Sequence, residues 1–322
     1  MRRPTRLNRT GTSIFLLAWS VLATSLSSGC NRPQPYLSWP RLDHGLVIVL
    51  TGIEGRSALN EAICEGLADG GVNWAVELCD WTSPVPMNYL VNLRDQDRNR
   101  QQAEEIAAKI VRYKMAHPER PVVLVGQSGG GAIAVWITEA LPPGEKIDGI
   151  VMLAASLSPD YALDGAMEGV RRGIVNYYST RDWFILGIGT IISGTMDGEH
   201  SSSAGRVGFV MPHGKRAKAY EKLYQIPWQK DMALSGYSGT HLTSGAREFV
   251  AAYVAPLVLA PMWDKSFVEM VGNRKMDKSQ FLPSVASQKA VPPINGKPAS
   301  PKNMEPSSQS DRPDFGPAPA VR

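Results

Sequence analysis

Short apolar runs alternate along the chain with longer stretches in which apolar residues recur every three or four positions. The runs occupy residues 46–50, 74–78, 122–125, 150–153, 174–178 and 223–226. They are too short for independent helices and lack the alternating polar positions of a half-exposed strand. They therefore predict strands buried on both faces, the habit of a parallel sheet. Between them, residues 57–67 place Leu59, Ile63 and Leu67 on one helical side, and residues 95–116 place Ala103, Ile106, Ala107 and Ile110 at helical spacing before Pro118. Proline ends such a pattern because it lacks the N–H that the helix ladder needs. Further helices are predicted over residues 129–140, closed by Pro142 and Pro143, and over 244–258, read as the last helix. Regular alternation of strand and helix predicts an α/β fold with a doubly wound, mostly parallel sheet and right-handed crossovers.

The two ends of the chain break this pattern. Arg2, Arg3, Arg6 and Arg9 precede an apolar segment over residues 14–23 and the small residues Ser27, Ser28 and Gly29, with no acidic residue before Cys30. That is the layout of a secretory signal peptide, and the apolar segment is shorter than the roughly 18 residues that suggest a membrane span. Leu26-Ser27-Ser28-Gly29-Cys30 resembles the lipobox of bacterial lipoproteins, although that family usually places Leu where Ser27 stands. The resemblance implies diacylation of Cys30 and a membrane-anchored protein facing the periplasm or cell exterior, held without a transmembrane helix. Ordinary signal cleavage, leaving a free Cys30, is the alternative. From Phe281 onward nine residues are Pro, mixed with Ser, Lys and Asn, and periodicity disappears. The expected organisation is a signal peptide over 1–29, a tether over 30–44, one domain over 45–272 and a Pro/Ser-rich disordered tail over 273–322.

Composition narrows the class. The chain has 322 residues, 43% hydrophobic and 20% charged, which suits one large globular domain. Removing the four arginines of the leader leaves as many basic residues as the 30 acidic ones, so the charge balance gives no argument for nucleic acid. Three cysteines exclude a disulfide-dense scaffold. If Cys30 is lipidated, Cys64 and Cys79 remain, either as a bridge or as buried thiols.

Candidate chemistry sits where the third strand ends. Residues 121–125 run into Gly126-Gln127-Ser128-Gly129-Gly130, and Gly131-Ala132-Ile133-Ala134 opens a helix. This is G-x-S-x-G in strand–turn–helix context, with glycines where neighbouring Cβ atoms would collide and the serine hydroxyl expected to be exposed at a helix N-terminus. On these residues, and on element order over residues 46–258, the chain resembles the α/β-hydrolase superfamily. The resemblance implies that Ser128 is a nucleophile, activated by a His and an acid that follow in the order Ser, Asp or Glu, His.

By family position the base is His241, in the loop Gly236-Tyr237-Ser238-Gly239-Thr240-His241 after the last strand. His200 and His213 are weaker candidates in the preceding polar segment, and His44 and His117 read as surface residues. For the acid, Asp182 follows the fifth strand at the family position. Asp160, in Ser158-Pro159-Asp160, is the runner-up and suits a turn or helix cap equally well.

An acyl oxyanion also needs fixed N–H donors. The resemblance implies the N–H of Gly129 and one from Thr51-Gly52-Ile53-Glu54-Gly55, by position that of Ile53; many relatives have His-Gly where this chain has Thr51-Gly52. About 20 residues separate the fourth and fifth strands, which leaves no room for a cap domain at its usual place and suggests an open pocket. The apolar stretch over residues 183–192 is either a buried helix or a flap over an acyl pocket. The expected activity is that of a serine hydrolase cleaving an ester, thioester or amide through an acyl-enzyme, of esterase or lipase type, on a small-molecule or lipid substrate. No metal or organic cofactor is required by these residues. A non-catalytic binding or scaffold lipoprotein of the same fold, and an acyltransferase with the same triad, are the rival readings.

Overall fold

A computed structural model of the chain describes residues 34–85, 87–182, 195–199 and 202–275. Cys30 and its leader, the apolar stretch over 183–192, His200 and the Pro-rich tail lie outside the described residues. The chain divides into two units, Met1–Pro35 and Tyr36–Arg322.

Six strands form one parallel sheet: β1 (Leu46–Leu50), β2 (Ala75–Cys79), β3 (Val122–Gln127), β4 (Ile147–Leu153), β5 (Val170–Tyr178) and β6 (Leu223–Pro227), in the order β2-β1-β3-β4-β5-β6. All six coincide with the apolar runs of the sequence. Alternate residues of each strand serve opposite faces. Leu46, Ile48, Leu50, Leu124 and Ile150 join one core with Ile106 and Ile110 of α2 (Gln96–Ala116) and with Ile133 and Ile137 of α3 (Gly129–Glu139). Val47, Val49, Val123, Val125 and Val151 join the other with Ile63 and Leu67 of α1 (Ala58–Asp69) and with Phe249 and Leu257 near the C-terminal end. A strand sandwiched in this way has no solvent face, which is why the runs read as continuous rather than alternating.

Three details differ from the sequence reading. The folded domain begins at Tyr36, inside the expected tether: the Tyr36 carbonyl accepts from Val76 N–H at 3.0 Å, and the Arg41 side chain donates to the carbonyls of Val72 and Trp74 at 2.7 and 2.9 Å. This segment therefore shields part of the β2 edge. The expected helix over 244–258 is composite, with Arg247–Phe249 and Ala255–Leu259 flanking a π-helical stretch, Val250–Val254. Pro256 has no N–H for the preceding turn, and the wider π stretch accommodates the missing bond. The last described helix is instead Lys265–Gly272, capped by the Asp264 carboxylate, which accepts from Phe267 N–H at 2.8 Å. It is short and buries only Val268, Val271 and Gly272, too few positions for a periodic signal. No helix among the described residues is long and apolar enough to cross a membrane.

Cys64 and Cys79 are both free. Burial pushes both thiols up to about 12, which keeps them as the unreactive thiol near neutral pH. In a Cys30→Ser form, iodoacetamide is expected to leave both unmodified in the native protein and to alkylate both in denaturant. Mass spectrometry of the intact protein reads the difference.

Candidate active site

The sheet reverses its direction of winding between β1 and β3. From β1 the chain crosses to β2 on one side, returns past β1 to β3, and then proceeds outward through β4, β5 and β6. Loops leaving the carboxyl ends of β1 and β3 diverge at such a switch point, and the crevice between them is the general place for ligands in open α/β sheets. Here those loops are residues 51–56 and the turn at Ser128.

Ser128 links β3 directly to α3 with φ 55° and ψ −119°. This is left-handed backbone on a residue with a Cβ, a conformation costing about 1–3 kcal/mol unless its surroundings impose it. They do. The Ser128 N–H donates to the Leu153 carbonyl at 2.9 Å, and the Ser128 carbonyl accepts from Ser156 N–H and Gly131 N–H, each at 3.0 Å. Two close approaches complete the turn. A Cβ on Gly126 would lie 2.3 Å from the Gly130 carbonyl oxygen, and one on Gly130 would lie 2.3 Å from that of Leu50. Strand, turn and helix are thus pressed together at positions where only glycine fits. The described residues form a doubly wound parallel sheet of six strands with a sharp strand–turn–helix at Ser128.

Ser128 itself is only 7% exposed, so its hydroxyl is more enclosed than the sequence suggested. Three side chains stand beside the neighbouring Gly129: Ile53, Trp81 and Met196 lie 2.9, 3.2 and 3.4 Å from where a Cβ on Gly129 would be. Met196 belongs to a turn pinned to the loop after β4, with Met196 N–H donating to the Ser156 carbonyl at 2.8 Å and Ser158 N–H to Asp197 Oδ1 at 3.0 Å. The backbone N–H groups of Ile53 and Gly129 donate to no acceptor among the described residues.

Asp182 and His241, 59 positions apart in sequence, meet across the loops that follow β5 and β6. His241 Nδ1 lies 2.9 Å from Asp182 Oδ2. An ionised carboxylate only accepts, so the proton of this bond sits on His241 Nδ1. Asp182 is 8% exposed, and its other oxygen, Oδ1, is buried without a hydrogen-bond partner among the described residues. The two loops are tied by Trp228, whose backbone N–H donates to the Tyr178 carbonyl and whose ring N–H donates to that of Tyr237, both at 2.7 Å. The Arg181 guanidinium covers the Trp228 ring at 4.6 Å. Tyr237 beside them is held protonated, its hydroxyl pushed up by burial and further by the charge of Asp182.

The remaining candidates lie elsewhere. Asp160 is exposed in a turn, and His213 is exposed where it precedes a 3-10 helix. His44 is exposed, whereas His117 is no surface residue: it stacks on Tyr113 at 4.9 Å and pairs with Asp43 at 3.1 Å. Among the described residues no group of three or more His, Cys, Asp or Glu comes together to hold a metal ion.

Sequence reasoning missed Trp81, Met196 and Glu54. The Glu54 side chain folds back over Gly52, with Oε2 2.1 Å from where a Cβ on Gly52 would be and Gln127 Oε1 2.8 Å from the same point. Burial pushes the Glu54 carboxyl up, opposed by its own backbone N–H and by the charge of His241. As a whole residue Glu54 is exposed, as a Glu in a Gly-rich turn is expected to be, and only the fold brings its carboxyl within the field of the imidazole.

No family model and no curated protein matches the sequence. Among solved structures the chain is similar to a dienelactone hydrolase-like promiscuous phosphotriesterase, P91, from metagenomic libraries, at 18% identity over 66% of this chain and 85% of that one, with a TM-score of 0.39. It is similar to Aspergillus fumigatus lipase B at 14% identity, over 78% of this chain and 61% of that one, with a TM-score of 0.47. A third similarity is to esterase B from Lactobacillus rhamnosis at 11% identity, over 81% and 95%, with a TM-score of 0.40.

The strained turn makes a prediction independent of substrate. Replacing Ser128 by Gly or Ala removes the same hydroxyl, and in ordinary backbone Ala is the more stable of the two. At φ 55° the order is expected to reverse, with Ser128→Gly more stable than Ser128→Ala by about 1 kcal/mol in urea denaturation.

Proposed function

We propose that the protein is a serine hydrolase that cleaves an ester, thioester or amide through an acyl-enzyme, with Ser128 as nucleophile, His241 as general base and acid, and Asp182 as the carboxylate that orients His241. The observation that carries this reading is the Asp182–His241 hydrogen bond at the end of the sheet that also holds Ser128 in left-handed backbone. A serine hydroxyl is a weak nucleophile at neutral pH and requires a neighbouring base; a neutral imidazole whose Nδ1–H is held by a carboxylate is such a base.

The steps follow from these roles. Ser128 Oγ bonds to the acyl carbon as its proton passes to His241 Nε2, and the carbonyl π electrons move onto oxygen. The N–H groups of Gly129 and Ile53 then donate to that oxyanion, as preorganised donors that need no rearrangement. Collapse of the tetrahedral intermediate re-forms the carbonyl and breaks the bond to the leaving group, which takes the proton from His241. Water repeats the sequence: its proton goes to His241, its oxygen bonds to the acyl carbon, and Ser128 leaves with the proton returned. Asp182 stays ionised throughout and stabilises the imidazolium that forms twice in each cycle.

Ile53, Trp81 and Met196, buried around Gly129, give the site an apolar wall. This favours an apolar acyl group. The leader ending in Gly29-Cys30 supports export and anchoring of the enzyme on a membrane through a lipidated Cys30.

Hydrolysis of p-nitrophenyl esters tests the assignment. Wild type is expected to turn over, with kcat falling by roughly 10⁴- to 10⁶-fold in Ser128→Ala and His241→Ala and by about 10⁴-fold in Asp182→Asn. Each variant is checked for native circular dichroism. Full activity in folded Ser128→Ala would refute the assignment.

A further inference from the structure

The N–H of Ile53 has to point at one place to serve an oxyanion, yet it belongs to a glycine-bearing surface turn. The structure fixes that turn carbonyl by carbonyl. The Thr51 carbonyl accepts from the indole N–H of Trp81 at 2.7 Å, the Gly52 carbonyl from Gly55 N–H at 3.1 Å, and the Ile53 carbonyl from Asn92 Nδ2 at 2.8 Å. In a trans peptide the C=O and N–H point in opposite directions. Holding the Gly52 carbonyl toward Gly55 therefore turns the Ile53 N–H the other way, and holding the next carbonyl prevents the following peptide from rotating.

Of these three anchors, Asn92 comes from furthest along the chain, 39 residues from Ile53. It is 3% exposed, and its side chain cannot flip, because Oδ1 accepts from Ser83 N–H at 2.8 Å while Nδ2 faces the Ile53 carbonyl. Its own carbonyl accepts from Nδ2 of Asn99, a fully buried residue of α2, at 2.8 Å. A continuous relay of carboxamides thus runs from a long helix to the turn. We infer that Asn92 is a positioning residue: by holding the Ile53–Glu54 peptide it steadies the turn in which the Gly52–Gly55 bond aims the Ile53 N–H, and thereby sets the strength of the second oxyanion donor. The inference rests on the serine hydrolase reading.

A purely structural role, satisfying a buried carbonyl, would alter stability alone. Asn92→Asp separates the two. The carboxylate keeps its acceptance from Ser83 but cannot donate to the Ile53 carbonyl, which it faces with like polarity. The measurement is kcat and KM for p-nitrophenyl butyrate, per active site titrated with a fluorophosphonate. Alongside it runs inhibition by an alkyl trifluoromethyl ketone, to whose carbonyl carbon Ser128 Oγ adds, giving a hemiketal oxyanion as its proton passes to His241. In folded Asn92→Asp, kcat and the ketone's affinity are expected to fall together by roughly 10- to 100-fold, with KM changed by no more than about twofold and the pH midpoint of kcat/KM unmoved.

Should that variant not fold, Asn92→Ser, which leaves space for a bridging water, is expected to lose about tenfold in both quantities. Unchanged kcat and ketone affinity in either folded variant would overturn the inference while the hydrolase reading stands. A wild-type protein that neither turns over nor reacts with the fluorophosphonate would overturn the hydrolase reading and this inference with it.

Discussion

The reversal of the chain at Ser128 is the constraint on which the rest of this end of the molecule depends. β3 ends and α3 begins with no intervening loop, so a single residue must absorb the whole change of direction, and it does so in backbone that costs about 1–3 kcal/mol. The cost is borne by the packing around it. Three hydrogen bonds fix the Ser128 backbone, and close approaches at Gly126 and Gly130 press α3 against the ends of β1 and β3. The reversal also decides where everything else has to be. It places a hydroxyl and a helix N-terminus side by side at the switch point of the sheet, facing the loop that follows β1.

Some buried polar atoms have no hydrogen-bond partner among the described residues, three of them on residues at or near the ends of β1, β3 and β5. Thr51 Oγ1, Gln127 Oε1 and Asp182 Oδ1 are buried oxygens with no hydrogen-bond partner among the described residues. Such atoms are costly to leave unpaired. Asn60 Nδ2, Arg112 Nε, His117 Nε2, Arg172 Nε and Asn176 Oδ1 are likewise buried without a partner among the described residues, while the Asp148 carboxylate accepts from Val122 N–H and from Arg172, and the Tyr161 hydroxyl accepts from the Trp136 ring N–H and donates to Glu139.

The sheet was readable from sequence because parallel strands buried on both faces leave unbroken apolar runs, and the six runs correspond to the six strands. Ser128 was readable because the turn it occupies demands glycines at fixed offsets. Asp182 and His241 were candidates through the family resemblance of their loops, and the fold brings them to 2.9 Å. What stayed hidden depends on contacts between residues far apart in the chain. Nothing in the neighbourhood of Trp81 or Asn92 in sequence marks them as anchors of a turn some 30 to 40 positions earlier. Met196 lies in a polar stretch and comes to stand beside Gly129 only through a turn that Asp197 pins to Ser158. The π-helical break before Pro256 is likewise visible only once the ladder of the last helices is traced.

The central claim is that one serine, and no other residue, is made nucleophilic by this architecture. Reaction of the folded protein with a fluorophosphonate, followed by proteolysis and tandem mass spectrometry of the adduct, tests it directly. The account predicts a single stoichiometric adduct on the peptide containing Gly126-Gln127-Ser128-Gly129-Gly130, with the phosphorus on Ser128 Oγ. An adduct on a different residue, or a folded protein that forms none, would contradict it.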